Sequence, residues 1–269
     1  FHPFPAELLR DIFEFAAQDN RATALTLSEV SCFVREWTLP AIYHTVTLSA
    51  AQTVSRFLAA ISSPRGPSAR VSPGELVQNL CITAIGPLDS IQRILRLCVN
   101  VQSLVYGFSI TAYHGLANAV TPLAREQHLL GFACRDPIVP SMLLSCTRRL
   151  HLQIATRSLE CIPALIVSIP LTHLAISLTS AAAPNTAVEA IVPTLQAVLT
   201  GNNGLRVLLI QVPGFGNEKV AEEIEAWNSK NLGDDRLVVQ VSPMSLVCQW
   251  NNTLRPQGGG LWRHAEKKI

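Results

Sequence analysis

Charge is scarce in this chain. Charged residues make up 15% of its 269 residues and aromatic ones 6%. Nineteen acidic side chains nearly cancel 21 basic ones, leaving a formal net charge of +2. So small a surplus, with no basic run beyond Arg148-Arg149 and Lys267-Lys268, speaks against a nucleic-acid partner. Both pairs read as solvated surface. Metal-ligand spacing is missing too: Cys32, Cys81, Cys98, Cys134, Cys146, Cys161 and Cys248 contain no Cys-x-x-Cys. Their number is odd and no signal peptide precedes them, so they read as reduced, buried, small hydrophobes of a cytoplasmic or nuclear protein. The chain begins at Phe1 rather than methionine, and further residues are expected upstream.

Long hydrophobic runs are also lacking. The most membrane-like window, Cys161 to Leu178, is broken by Pro163, Pro170 and His173. It falls short of the roughly 20 apolar residues that a spanning helix needs. It reads as a buried helix followed by a strand, with no membrane partner. Asn251-Asn-Thr253 matches a glycosylation acceptor, which means nothing without a secretory route.

Catalytic signatures are absent as well. The chain has no Gly-x-Ser-x-Gly elbow, no His-Glu-x-x-His and no Gly-x-x-x-x-Gly-Lys. Pro213-Gly-Phe-Gly216 supplies two glycines of a dinucleotide fingerprint, but Lys219 occupies the third place, so it reads as a turn. Asp234-Asp235 are neighbours in a polar turn and point apart. The seven histidines show no ligand spacing. His173 stands at an outward position of a strand and is expected to be exposed or hydrogen-bonded. The expectation is no catalytic residue, no cofactor and no metal: a protein that is not an enzyme. A deep pocket with convergent polar groups would revive the enzymatic alternative.

What is abundant is apolar matter. Hydrophobic residues reach 48% and the mean hydropathy is +0.28. Either the chain buries its strands in a solenoid, or it keeps an apolar face for a partner. The length allows one large or two modest domains.

The N-terminal stretch is the most informative. Pro5 suits a first helical turn, since its missing N–H would have no partner there, and Glu7 complements the dipole. Leu8, Ile12 and Phe15 share one stripe, with Leu9, Phe13 and Ala16 beside them. That surface is wider than one small core needs. A second helix is predicted over Thr23 to Val30. A third runs to Trp37 with Val30, Phe33, Val34 and Trp37 at core spacing, and Pro40 is expected to stop it.

Pro-x-Glu-Leu-Leu-x-x-Ile-Phe, then a Leu-rich helix, then Val-x-x-x-Val-Arg-x-Trp resembles the F-box, here over residues 1–48. The module docks substrate receptors of SCF ubiquitin ligases onto the Skp adaptor. The resemblance implies that Pro5, Leu8, Leu9, Ile12, Val30, Val34 and Trp37 are the adaptor-binding apolar positions. Phe4-Pro5 stands for the usual Leu-Pro, Ala16-Ala17 for a bulkier helix end, and Ile42-Tyr43-His44 for a Leu-Trp.

Residues 49–269 carry a weaker periodicity. Tyr43 to Leu48 alternates like a half-buried strand, and Ala51 to Ser62 has helical spacing. The segment from Ser62 to Gly74 reads as a loop. Apolar-x-x-Leu-x-apolar then recurs around Leu80, Leu104, Leu174 and Leu208, with poorer copies at Leu130 (with Phe132) and Leu150 (with Leu152). Helical stretches are predicted between them at Ser90 to Cys98, Leu159 to Ile169 and Ala187 to Leu199. This plan resembles leucine-rich repeats, whose units stack because none buries its apolar face alone. The family's Asn or Cys is replaced by Ile85, Ser109, Arg135, Ala155, Thr179 and Pro213, so an irregular array without an asparagine ladder is expected. An ordinary α/β domain with Leu-rich strands is the alternative.

At the end of the chain, Asp234 to Val241 reads as a turn into a strand. Trp250, a Gly258-Gly-Gly260 hinge and Leu261-Trp-Arg-His-Ala-Glu266 follow. This close, together with Tyr43-His-Thr-Val46, is similar to F-box proteins expanded in mushroom-forming fungi. Trp250 and Trp262 are expected to cap the open end of the array, within a cap of about residues 234–269.

The expected fold is thus an α+β or α/β solenoid: a three-helix F-box, an irregular leucine-rich-repeat-like β/α array and a Trp-containing cap. The expected function is a non-catalytic SCF substrate receptor that binds the Skp adaptor at one end and an unknown target protein at the other. Outward positions of the repeats, Gln78, Asn79, Gln102, Ser103, Thr172, His173, Arg206 and Val207, are the candidate target contacts. The alternative is a protein–protein scaffold whose box only caps the array.

Overall fold

The computed structural model describes residues 4–63, 71–108, 124–131, 143–167, 169–179, 184–214, 218–242, 245–254 and 260–269. Ser109, Phe132, Cys134, Arg135, Phe215-Gly216 and Gly258-Gly259 lie outside them, as does most of the predicted loop from Ser62 to Gly74. The chain divides into two compact units, Phe1–Leu104 with Asn118–Ala124, and Val105–Ala117 with Arg125–Ile269. Residues 1–48 fall wholly within the first.

In the first unit, helix α1 (Ala6–Asp19) follows Pro5, whose carbonyl accepts from Leu9 N at 3.2 Å. Helix α2 (Arg21–Leu27) begins two residues earlier than predicted, because the Asn20 side chain caps it by accepting from Ala22 N at 2.8 Å. Ser31 likewise caps α3 (Cys32–Tyr43), accepting from Val34 N at 3.2 Å. Pro40 does not stop this helix. Its carbonyl still accepts from His44 N at 2.9 Å, so the turn after the proline closes. The carbonyl that loses its partner belongs to Glu36, an exposed residue where water can replace the missing N–H. The inner faces of the three helices meet through Ala17, Ala24 and Ile42, flanked by Leu27, Ala41 and Tyr43.

Strand β1 (Thr45–Leu48) then pairs in parallel with β2 (Asn79–Ile82), Val46 opposite Leu80. The parallel register requires a crossover, supplied by α4 (Ala51–Ser62), which buries Val54, Phe57 and Ile61 as its spacing predicts. A short 3₁₀ turn, Pro73–Leu76, includes Gly74, where a Cβ would lie 2.6 Å from the Leu97 carbonyl oxygen. Helix α5 (Leu88–Leu97) buries Ile91, Ile94 and Leu95. Gln102 N and Ser103 N bond the Gln78 carbonyl. They lead into β3 (Ser103–Tyr106), the strand in which the two units divide.

The second unit holds β4 (Glu126–Leu129), β5 (Arg149–Ile154), β6 (His173–Leu178), β7 (Val207–Pro213) and β8 (Leu237–Ser242). They are parallel neighbours in sequence order. The intervening helices α6 (Ile162–Ile166), α7 (Pro184–Gly201) and α8 (Glu218–Asn231) make it an α/β unit. Leu150, Leu174, Leu208 and Leu237 form one column across the strands. On β4 that column is filled by Gln127, not by Leu130. The predicted copy at Leu130 is therefore three residues out of register. The predicted helix from Leu159 to Ile169 is shorter as well. Thr156–Cys161 is 3₁₀, and α6 starts only where Pro163 can occupy a first turn. Arg236 ties β8 to the end of α7, donating to the carbonyls of Leu199, Asn202 and Leu205 while pairing with Asp234 at 2.6 Å.

Side chains alternate between two faces of these strands. One carries Leu150, Leu152, Ile154, Leu174, Ile176, Leu208 and Ile210, all fully buried. The other is covered by α9 (Leu246–Thr253) and α10 (Leu261–Glu266). From α10, Leu261, Trp262 and Ala265 pack with Ala175, Val207, Leu209 and Val238 of β6–β8. Trp262 thus lies on a face of the strands rather than past the last one, where Ala175 is the short side chain among its strand neighbours. Trp250, on α9, is buried as well. Among the described residues, no helix is long and apolar enough to cross a membrane.

Candidate functional site

Three arrangements stand out, one in the first unit and two in the second. On α1, Leu8, Ile12 and Phe15 form an outward stripe, 49%, 55% and 77% exposed, with Phe4 before them and Leu9 beside them. Leu25 of α2, Val30 in the next turn and Phe33 of α3 are exposed too. Leucines and phenylalanines are usually interior. Here Ala17 and Ala24 share the inside of the helical trio with Val34 and Ile42, and several of its large apolar side chains are left outside. Of the positions that the F-box resemblance implies, Pro5, Leu8, Leu9, Ile12 and Val30 are exposed. Val34 is buried, and Trp37 is half-buried against Phe13, ring centroids 6.3 Å apart. Phe4, Phe15, Leu25 and Phe33 belong to the same category of exposed apolar residues, and the family pattern did not single them out.

The second arrangement is a row at the starts of the strands. Arg148 N bonds the Arg125 carbonyl at 2.8 Å, Thr172 N the Arg148 carbonyl at 2.9 Å, and Arg206 N the Thr172 carbonyl at 2.8 Å. Arg125, Arg148, Thr172 and Arg206 are therefore side by side. The three arginines are exposed and, among the described residues, form no ion pair. In the first unit, Gln78 and Gln102 hold the equivalent place before β2 and β3. The predicted target contacts thus separate in two. Gln102 and Arg206 are exposed and Gln78 and Thr172 half-buried, whereas Asn79, Ser103, His173 and Val207, one residue further on, are buried. For His173 and Val207 the cover is α10. Arg125 was not singled out, because a lone arginine before a strand carries no motif, and Arg148 was read, with Arg149, as solvated surface.

The third is a buried chain of polar groups under α9 and α10. Glu126 Oε1 meets His128 Nε2 at 2.7 Å, and His128 Nδ1 meets His151 Nδ1 at 3.1 Å. His151 Nε2 lies 2.8 Å from Ser177 Oγ, which donates to Gln211 Oε1 at 2.6 Å. Gln211 Nε2 donates to Gln249 Oε1 of α9 at 2.8 Å. The sole hydroxyl proton of Ser177 goes to Gln211, so His151 must donate to Ser177 and accept from His128. One more proton then belongs to the His128–Glu126 contact. Burial pushes the Glu126 carboxyl up, yet His128, the Trp262 indole and Arg149 together hold it below its ordinary value. The indole N–H is turned toward this carboxylate without reaching full hydrogen-bond geometry. Burial first, and the charge of His128 second, pull His151 well below its ordinary value. Beside this chain, His173 Nε2 meets Glu266 at 3.0 Å, its ring set edge-on to Trp262 with centroids 5.5 Å apart. Arg149 lies 3.9 Å from Glu126 and 3.6 Å from Glu266.

Every member of this chain but Glu126, which is partly exposed, is enclosed by the protein itself. Ser177 next to His151 has the chemistry of a nucleophile and base but is 4% exposed. Among the described residues no group of three or more His, Cys, Asp or Glu side chains could hold a metal ion. The arrangement binds α9 and α10 to the strands. Among the described residues, the apolar stripe and the arginine row are exposed. No family model, curated protein or solved structure matches the chain.

Proposed function

We propose that the chain is a non-catalytic substrate receptor of an SCF-type ubiquitin ligase, whose α1–α3 helices insert an apolar surface into the Skp adaptor while the strand-and-helix region holds a target protein. The observation that carries this reading is the outward stripe of Leu8, Ile12 and Phe15. Fully burying a Leu, Ile or Phe side chain is worth about 1.5–3 kcal/mol. Four or five half-exposed anchors can therefore outweigh much of the several kcal/mol lost when two proteins are oriented. Ile12 already spends about half its surface in water in the free chain. Ile12→Asp accordingly costs the free protein little and the complex a great deal.

Purified Skp adaptor, titrated onto the full chain, is expected to bind with micromolar or tighter affinity. Leu8→Asp and Ile12→Asp should each weaken it at least tenfold, with the circular dichroism and melting of the free chain unchanged. Binding indifferent to both substitutions, or none by the intact chain, favours the second reading, a scaffold whose helical trio only caps the array.

A further inference from the structure

The geometry points to an extended acidic peptide segment of the target as the ligand of the row Arg125, Arg148, Thr172 and Arg206. The inference rests on the reading above that this region holds a target protein, and it names the chemistry of the held segment.

Adjacent strands lie about 4.8 Å apart, so Arg125 and Arg148 are neighbours and Arg206 is about 14 Å from Arg125, three strand steps along. Like charges so close repel, and among the described residues no ion pair offsets them. Two nearby carboxylates are already engaged, Glu126 with His128 and Arg149, Glu266 with Arg149 and His173. Arg149 absorbs these two acids, which leaves the three exposed guanidiniums without an ion pair among the described residues, the exposed Asp235 standing near Arg206 alone. Each is a planar fork suited to a carboxylate.

An extended peptide presents the side chains of one face every 6.6–6.8 Å, so acids at alternate positions i, i+2 and i+4 span about 13 Å. That length matches the row to within the reach of an arginine side chain. Thr172 supplies the uncharged gap between Arg148 and Arg206. A single strand of nucleic acid also offers regularly spaced anions, but such strands are held by aromatic platforms as well as by charge. Among the described residues of this unit, the exposed large apolar side chains are Val167 and Ile269, neither aromatic. The row therefore fits a peptide better than a polynucleotide.

The test uses the full chain and a fluorescein-labelled peptide with aspartate at alternate positions, followed by anisotropy. Saturable binding that weakens as salt rises is expected. Binding should fall at least tenfold for the triple variant Arg125→Gln, Arg148→Gln, Arg206→Gln, and further for Arg148→Glu. All four substitutions change exposed charges at three positions, so melting should match the parent. Equal binding of the asparagine version of the peptide, indifference of the triple variant, or tighter binding of a single-stranded oligonucleotide would overturn the proposal. Adaptor capture measured on the same triple variant separates the two readings. It should be unchanged, and its absence in the parent chain would count against the adaptor and leave the peptide result standing.

Discussion

Replacing Trp262 by alanine tests how the second unit is closed. The indole is 2% exposed and packs on Ala175, Val207, Leu209 and Val238, with the His173 ring set against its edge. These neighbours are anchored in strands, so they cannot collapse into the space an indole leaves. Such truncations cost about 3–5 kcal/mol. At roughly 2–4 °C per kcal/mol for a domain of this size, the melting temperature should fall by about 6–20 °C. The loss has a ceiling, because α10 has six residues and could leave the strands altogether. Truncation before Leu261 measures that ceiling directly, and Trp262→Ala should not exceed it. Thermal and urea melts of parent, Trp262→Phe, Trp262→Ala and the truncation should rank in that order. A shift under 2 °C for Trp262→Ala, or amides of α10 that exchange as fast as an unfolded chain in the parent, would refute the reasoning.

Two further outcomes follow from burial. His151 is held neutral below the ordinary 6.5, so the unfolded chain takes up a proton there that the folded one refuses. Stability is therefore intact above that value and falls as the pH drops below it, by up to roughly 1.4 kcal/mol per pH unit from this one site. Urea melts between pH 8 and 5 should show this loss in the parent and a flatter profile in His151→Phe; parallel profiles would contradict it. Burial also pushes the Cys81 and Cys98 thiols up to about 12, whereas Cys32 and Cys248 are exposed. Mass spectrometry after brief maleimide treatment at neutral pH should find label on the exposed pair and, on Cys81 and Cys98, only in denaturant.

The elements of the first unit were largely legible in the sequence, because its helices alternate large apolar and polar residues and its caps are Asn20 and Ser31, residues that announce a start. Pro40 misled: a rule about helix interiors yields where the orphaned carbonyl belongs to an exposed residue. The column of leucines was legible at Leu150, Leu174 and Leu208, whereas Leu237, which also fills it, follows a polar turn and was read only as part of a strand. At β4 the same slot holds Gln127, within the polar stretch Glu126-Gln-His-Leu129, so a search for leucine slid to Leu130. That stretch is polar because it supplies His128 and Glu126 to the buried chain, a partnership between strands that local periodicity does not encode. For the same reason the second face of the strands looked open. That α9 and α10 return over it depends on the fit of Trp262 beside Ala175, residues far apart in the sequence.

That return has a consequence for synthesis. His173 meets Glu266 across 93 residues, so β6 emerges from the ribosome long before the lid that shields it exists. Until α10 is released, Ala175, Leu209 and the histidine pair face solvent or a chaperone, and the second unit can complete its packing only after translation has passed Glu266. A nascent chain stalled short of Leu261 is thereby a sticky intermediate, while the amino-terminal helical trio, made from local contacts, is free to fold at once.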